Sequence, residues 1–122
     1  MTEQKGGAFA HPVERELARL YDHYGIAWEY EPHTIVLERH ADGSVREAFT
    51  PDFFLPELGV YVECTVARQP LTHRKRRKAR KARERGVTVG ILFRSDFVSL
   101  ARRLGHRALE HAIGEPPKPR SV

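Results

Sequence analysis

The segment TPDFFLPELGVYVECTV, residues 50–66, constrains the fold more than any other part of the chain. Its β-branched and aromatic residues favour two short strands, and the Pro-Glu-Leu-Gly sequence at 56–59 predicts a four-residue turn between them. Counting back from a turn of that length places Asp52 directly opposite Glu63. We therefore expect a hairpin that holds two acidic side chains next to each other.

The same register gives the hairpin one apolar face and one face that carries both acids. Side chains alternate between the two faces of a strand, so the apolar face consists of Phe49, Pro51, Phe53, Leu55, Val60, Val62, Cys64 and Val66. Facing carboxylates repel each other, and Mg²⁺ is often held by only one or two of them. Two interpretations follow: Asp52 and Glu63 are metal ligands, or each acid pairs with an arginine of the helix after the hairpin.

The rest of the chain predicts an α/β fold around this hairpin. The pattern is a helix, three strands, a helix, a strand and a final helix, and an Asp42-Gly43 turn joins the first two strands. Because the last strand follows a helical crossover, we expect it to lie parallel to the strand before that helix. This order predicts a mixed four-stranded sheet flanked by helices, written αβββαβ with an additional C-terminal helix.

The length of 122 residues suits one hydrophobic core. We expect residues 11–113 to form a single domain, after a flexible lead-in at 1–10 and before a disordered, Pro-rich tail at 114–122. The sequence shows no apolar signal region and no stretch long enough for a membrane span. With a single cysteine, Cys64, the chain forms no internal disulfide, and we expect a cytoplasmic location, with the nucleoid as an alternative.

The charge of the chain indicates an anionic partner. The formal net charge is +5 and the pI is about 9.7, which favours binding to nucleic acid. DNA is the first expectation and RNA the alternative, whereas a membrane partner is not expected because no apolar anchor is present. A homodimer or a protein partner leaves no readable mark in the sequence.

The hairpin motif resembles the signature of the PD-(D/E)XK nucleases, the restriction-endonuclease-like superfamily. Pro51-Asp52 matches the first half of the signature, and Glu63, which follows a hydrophobic strand, matches the acid of the second half. The predicted order of elements matches the core of that superfamily, and the resemblance runs from about His11 to Phe93. It implies a metal-dependent phosphodiesterase that cleaves DNA with Mg²⁺, or with Mn²⁺, bound at the two acids.

The sequence departs from the family pattern at Thr65. The family has a lysine at this position, two residues after the second acid, where it activates the attacking water or stabilises negative charge. Threonine carries no charge and cannot replace it. Either the activity is lost, or another group supplies this chemistry.

The helix after the hairpin offers candidates for the missing lysine. Helical spacing places Lys75 and Lys78 on the same face as the apolar residues Leu71, Ala79 and Ala82. We expect Lys75, and after it Lys78, to reach the acids, as in superfamily members that carry this lysine on a neighbouring helix. Gln69 is a third candidate, and the alternative is that both lysines lie on a solvated face.

The resemblance adds two further residues to the expected metal site. The superfamily often takes an additional acid from its first helix, which makes Glu14 a candidate ligand. The structural alternative is that a carboxylate in the first turn stabilises the helix N-terminus. In the family the backbone carbonyl between the two motif residues faces the metal, and Cys64 holds that position here.

The same helix is also the expected nucleic-acid contact. Its like charges repel one another at helical spacing, and phosphate groups would relieve this repulsion. The predicted contacts are Arg74, Arg76, Arg77, Lys78, Arg80, Lys81 and, after the next strand, Arg94. The alternative interpretation of such a run is a solubilising face.

Two functions follow from the sequence. The leading one is a Mg²⁺-dependent nuclease acting on DNA. The alternative is a non-catalytic nucleic-acid-binding module on the same fold, with Thr65 as the sign of a degenerate site.

Overall fold

The structure, a computed structural model, describes residues 9–66 and 69–114. Its elements in chain order are α1 (Pro12–His23), β1 (Glu29–Tyr30), β2 (Ile35–Arg39), β3 (Val45–Phe49), β4 (Phe53–Leu55), β5 (Val60–Thr65), α2 (Gln69–Glu84), β6 (Val89–Phe93), α3 (Arg94–Leu104) and α4 (Arg107–Ile113). The predicted α/β class is confirmed. No helix in the described part of the chain is long and apolar enough to cross a membrane.

The central sheet has four strands in the order β1-β4-β5-β6. Strands β4 and β5 pair antiparallel with Leu55 opposite Val60, so residues 56–59 form the predicted four-residue loop. Strand β5 pairs parallel with β6 across the α2 crossover, as the helical connection predicts. The mixed four-stranded sheet is therefore confirmed.

The predicted second strand is divided in two, which corrects the expected strand pairing. Strand β3 ends at Phe49 and pairs only with β2, as a separate two-stranded sheet, while β4 begins at Phe53 and pairs with β1 and β5. The division lies at Pro51, which lacks the N–H that a continuous strand would need for pairing. The hairpin with the two acids is therefore β4–β5 alone, and the β2–β3 hairpin is a separate unit.

The four-stranded sheet has a hydrophobic cluster on each face. One cluster contains Phe53, Leu55 and Cys64 together with buried residues of α1, α3 and α4. The other joins α2 and the β2–β3 hairpin to the sheet through Leu37, Phe49, Ala79, Ala82 and Val89. The prediction that Phe49 shares a face with Phe53 is wrong, because the chain changes sheets between them.

Most of the expected lead-in and tail, residues 1–8 and 115–122, lies outside the described residues. Phe9, within the expected lead-in, is instead a core residue with 5% exposure. Its ring packs edge-on against Tyr30 with a centroid distance of 4.6 Å. The hydrophobic core of the described residues therefore includes a side chain two positions before the expected boundary at residue 11.

Candidate functional site

Asp52, immediately before β4, lies next to Glu63, near the end of β5. The backbone N–H of Asp52 donates to Glu63 Oε1 at 3.0 Å, and the backbone N–H of Cys64 donates to Asp52 Oδ2 at 2.8 Å. Both side chains are buried, at 7% and 5% exposure. The predicted juxtaposition of the two acids is present, and each carboxylate is fixed by a backbone donor of the opposite strand.

Lys75 extends from α2 to Glu63 of this pair. Its Nζ donates to the carbonyl of Cys64 at 2.7 Å and lies 3.2 Å from Glu63 Oε2. Ala79 and Ala82, one and two turns further along α2, have no exposed surface, so Lys75 lies on the face that packs on the sheet. The placement of Lys75 next to the acids agrees with the prediction, and it also satisfies the ion-pair interpretation for Glu63, with a lysine in place of an arginine.

Glu14 contributes a third buried carboxylate from α1. Its Oε1 accepts from the hydroxyl of Tyr30 at 2.6 Å and from the backbone N–H of Ala10 at 3.2 Å. The negative charge of Glu14 is close enough to raise the pKa of Asp52. We refer to Glu14, Asp52, Glu63 and Lys75 together as the carboxylate site.

Burial controls the protonation of the carboxylate site. Loss of hydration raises the pKa of all three carboxyl groups, because a low-dielectric environment disfavours the charged form. The charges of Glu14 and Glu63 raise the pKa of Asp52 further, and the ammonium of Lys75 opposes the rise. The site therefore holds excess negative charge or retains protons, and a bound cation would relieve the repulsion.

The donor set is sufficient for a magnesium ion that keeps most of its water ligands. Asp52 and Glu63 are two adjoining carboxylates, which is the number that Mg²⁺ often takes from a protein. Among residues 9–66 and 69–114, no group of three or more His, Cys, Asp or Glu side chains is arranged to hold a metal ion. The carbonyl of Cys64, predicted as a ligand, accepts from Lys75, which uses one of the two lone pairs of that oxygen.

The other residues predicted for the chemistry are less informative. Thr65 is buried at 4% exposure, beside Phe93 of the parallel strand β6. The side chain of Gln69 lies outside the described residues. The thiol of Cys64 is buried in the core, and burial raises its pKa well above the usual range, which makes it unreactive.

Several predicted phosphate contacts of α2 are instead bound to the β2–β3 hairpin. Lys81 Nζ contacts Glu38 and lies 2.8 Å from Glu47 Oε1, and Arg77 lies 2.7 Å from Glu47 Oε2. Lys78 Nζ donates to the carbonyl of Ala48 at 3.2 Å. Each of these three cations therefore has an oxygen partner in the hairpin that a phosphate group would have to displace.

The other four predicted contacts, Arg74, Arg76, Arg80 and Arg94, are exposed, as is Arg77. The guanidinium of Arg76 stacks over the ring of Phe93 at 4.6 Å from its centroid, and Arg80 is 4.0 Å from Glu84 in the next turn. These contacts lie at the surface and would compete weakly with phosphate. The predicted contacts therefore divide into three cations that bind the β2–β3 hairpin and four that lie elsewhere on the exposed surface.

Sequence reasoning missed the acids that neutralise α2. Glu38 and Glu47 are cross-strand partners in the β2–β3 hairpin. Regular counting from the observed Arg39–Val45 pair would place Glu38 opposite Arg46, and the irregularity between Glu38 and Arg39 brings Glu47 opposite Glu38 instead. Tyr30, the partner of Glu14, likewise had no local signal, because its contact depends on how α1 packs on the sheet.

Comparison of the chain with protein-family models, curated proteins and solved structures gives no match.

Proposed function

We propose that the protein is a metal-dependent phosphodiesterase acting on nucleic acid, with DNA as the first candidate substrate, on a restriction-endonuclease-like core. The observation that supports this most strongly is the buried pair Asp52 and Glu63 with Lys75 Nζ 3.2 Å from Glu63. Burying two facing acids costs stability, because they lose hydration and repel each other. A cation bound between them at a phosphodiester bond would offset that cost.

The residues of the carboxylate site have distinct roles in this proposal. Asp52 and Glu63 would hold Mg²⁺ or Mn²⁺, and Glu14 adds negative charge close to Asp52. When bound, such an ion supplies a Lewis acid for the phosphoryl group and lowers the pKa of a bound water. Lys75 Nζ, which lies 3.2 Å from Glu63 Oε2, would donate to the negative charge that develops on the phosphate.

Substrate binding would use the exposed cations of α2 and the start of α3. Arg74, Arg80 and Arg94 are exposed, and the first of these is one residue before Lys75. Contacts of this kind hold the phosphate backbone without reading its sequence. We therefore expect cleavage with little dependence on base sequence.

The test is cleavage of plasmid, single-stranded DNA, branched DNA and RNA in the presence of Mg²⁺, Mn²⁺ or chelator. We expect cleavage only with metal, and loss of cleavage in Asp52→Asn with nucleic-acid binding retained. Glu47→Gln is the matched control, because Glu47 also faces an acid across a hairpin but lies outside the carboxylate site. Failure to cleave any substrate, together with no metal binding that depends on Asp52 in calorimetry, would remove the proposal.

A non-catalytic nucleic-acid-binding module is the second candidate. Two observations favour it: Thr65 stands where the family has its lysine, and Lys75 already neutralises Glu63. Lys81 does the same for Glu38 and Glu47 at a surface site, so a lysine beside facing acids is also a structural device in this protein. Salt-dependent nucleic-acid binding without cleavage would select this candidate.

A further inference from the structure

Three aromatic rings form a cluster beside the carboxylate site. Phe54 and Tyr61 are cross-strand partners whose ring centroids are 4.6 Å apart. His33, which is exposed in the loop between β1 and β2, packs edge-on against both rings at 5.4 and 6.0 Å. Its Nδ1 is hydrogen-bonded to the hydroxyl of Tyr61 at 2.9 Å. We call His33, Phe54 and Tyr61 the aromatic cluster.

The aromatic cluster lies on the same face of the sheet as the two acids. Phe54 is two residues after Asp52, and Tyr61 is two residues before Glu63. Side chains two residues apart share a face and are separated by about 6.5 Å along the strand. That spacing is comparable to the reach from a phosphate group to the base of the same nucleotide.

The chemistry of the aromatic cluster suits a nucleobase. Bases stack on aromatic side chains without requirement for a particular sequence. Two exposed hydroxyls, those of Thr34 and Thr50, are hydrogen-bonded to each other at 2.8 Å close to His33 and Asp52 in the chain. Hydroxyl groups of this kind donate to phosphate and sugar oxygens, so a nucleotide placed here would meet the exposed His33 ring, two half-buried aromatic rings and hydrogen-bonding groups.

We propose that the aromatic cluster stacks a nucleobase of a single-stranded nucleic acid while the adjoining phosphate lies at Asp52 and Glu63. The position of the phosphate rests on the proposed function. The preference for single strands follows because the ring faces of bases in a duplex are covered by their neighbours, whereas unpaired bases are free to stack on a protein. The cluster would then select single-stranded segments as the substrate of the carboxylate site.

A simpler interpretation is that Phe54 and Tyr61 only stabilise the pairing of β4 with β5. That interpretation does not require His33, which is exposed and comes from a loop. The two interpretations differ in their dependence on the base. If the pair is only structural, the affinity for a bound strand does not depend on whether that strand carries bases. If the rings stack a base, the affinity falls when the base is removed.

The experiment measures binding of a short single-stranded oligonucleotide by fluorescence anisotropy, with Ca²⁺ in place of Mg²⁺. A second oligonucleotide has abasic sites at its central positions, and a third is the corresponding duplex. We expect the intact single strand to bind more tightly than the abasic strand by about 5- to 150-fold, the range for stacking one base. The difference should disappear in the double variant His33→Ala, Phe54→Leu.

Two further variants separate loss of the stacking surface from loss of the fold. His33→Ala alone changes an exposed loop residue and should reduce the discrimination with an unchanged melting temperature. Tyr24→Ala removes an aromatic side chain that is 58% exposed outside the cluster and should leave the discrimination intact. Equal affinity of the wild type for intact and abasic strands would overturn the inference, as would discrimination that survives in both cluster variants.

The outcomes for the two proposals are distinguishable. Cleavage without base discrimination would overturn the stacking surface and leave the nuclease. Base discrimination without cleavage under any metal would support the stacking surface and overturn the nuclease. No binding of any oligonucleotide would overturn both.

Discussion

Asp52 and Glu47 are both acids that face another acid across a hairpin, and their environments shift their pKa values in opposite directions. Asp52 is buried, and loss of hydration raises its pKa well above the usual range. Glu47 lies near the surface, and the hydrogen bond from Lys81 lowers its pKa. Burial therefore determines whether the pKa of an acid in a facing pair is raised, as at Asp52, or lowered by a nearby cation, as at Glu47.

The raised pKa of Asp52 predicts a loss of stability with rising pH. Because its pKa is raised, native Asp52 binds a proton more tightly than the unfolded chain, which releases it at about pH 4. The Asp52 contribution to stability is therefore present at low pH and is lost as pH rises through the native pKa. Asp52→Asn should therefore become more stable relative to wild type as pH increases from about 4 to 8. Chemical denaturation of both proteins in chelator measures the difference, which should shrink when Mg²⁺ is added. A difference that is constant with pH would contradict the prediction.

Lys75 is the counter-charge of Glu63, and its removal should affect both stability and chemistry. Lys75→Met leaves the buried carboxylate without its cation, which we expect to cost about 1–3 kcal/mol in chelator. Cleavage should fall by orders of magnitude if the ammonium stabilises the developing charge. Thermal melting and single-turnover cleavage measure the two effects.

Thr65→Lys in the Lys75→Met background is the complementary variant. The new ammonium would lie on β5, two residues after Glu63, which is the position of the lysine in the nuclease superfamily that the sequence resembles. We expect part of the cleavage rate to return. Unaltered cleavage in Lys75→Met itself would remove Lys75 from the chemistry.

The cations of helix α2 fall into two groups, those that bind the β2–β3 hairpin and β5 and those that are exposed at the surface. Lys75, Lys78 and Lys81 recur every three residues and reach oxygens of β5, β3 and the β2–β3 hairpin. The guanidinium of Arg85 donates to the carbonyls of Val36 and Leu37 in the same hairpin. One side of the helix therefore attaches the hairpin, and the exposed arginines on the rest of the surface are available to an anionic partner.

This division predicts different effects for two pairs of substitutions. Arg74→Gln with Arg80→Gln removes two exposed charges, so affinity for nucleic acid should fall and the salt slope, d log K/d log[salt], should decrease in magnitude by about 1.4–1.8. Arg77→Gln with Lys81→Met removes two cations that bind Glu38 and Glu47. This second pair should lower stability and change the salt slope less. Binding titrations at several salt concentrations measure both slopes, and identical slopes would contradict the division.

The packing of two hydrophobic clusters on one sheet holds the carboxylate site in place. Phe53, with no exposed surface, contacts the rings of Phe9, Tyr21, Trp28 and Tyr30 on the α1 face. Its neighbour Asp52 lies on the α2 face with Lys75. The sheet between the clusters thus brings Glu14 of α1, the Asp52–Glu63 pair and the ammonium of Lys75 together at one end of the central β4–β5 hairpin.

Phe53→Ala should destabilise the fold strongly because it leaves a cavity among four rings. We expect a loss of about 3–5 kcal/mol in the free energy of unfolding. Leu58→Ala, in the exposed loop at 65% exposure, should change that free energy by less than about 0.5 kcal/mol. Denaturant unfolding measures both, and a mild effect at Phe53 would contradict the assignment of this cluster as the main core.

Local patterns in the sequence were enough to predict the β4–β5 register, the parallel β5–β6 pair and the inward side of α2. Turn length, the alternation of side chains and helical spacing are short-range properties, and they placed Asp52 next to Glu63 and directed Lys75 towards them. Long-range packing decided the remainder. The chain changes sheets at Pro51, Tyr30 contacts Glu14, and Glu47 pairs with α2. Each of these features joins residues that are distant in the chain, so it depends on how whole elements pack together.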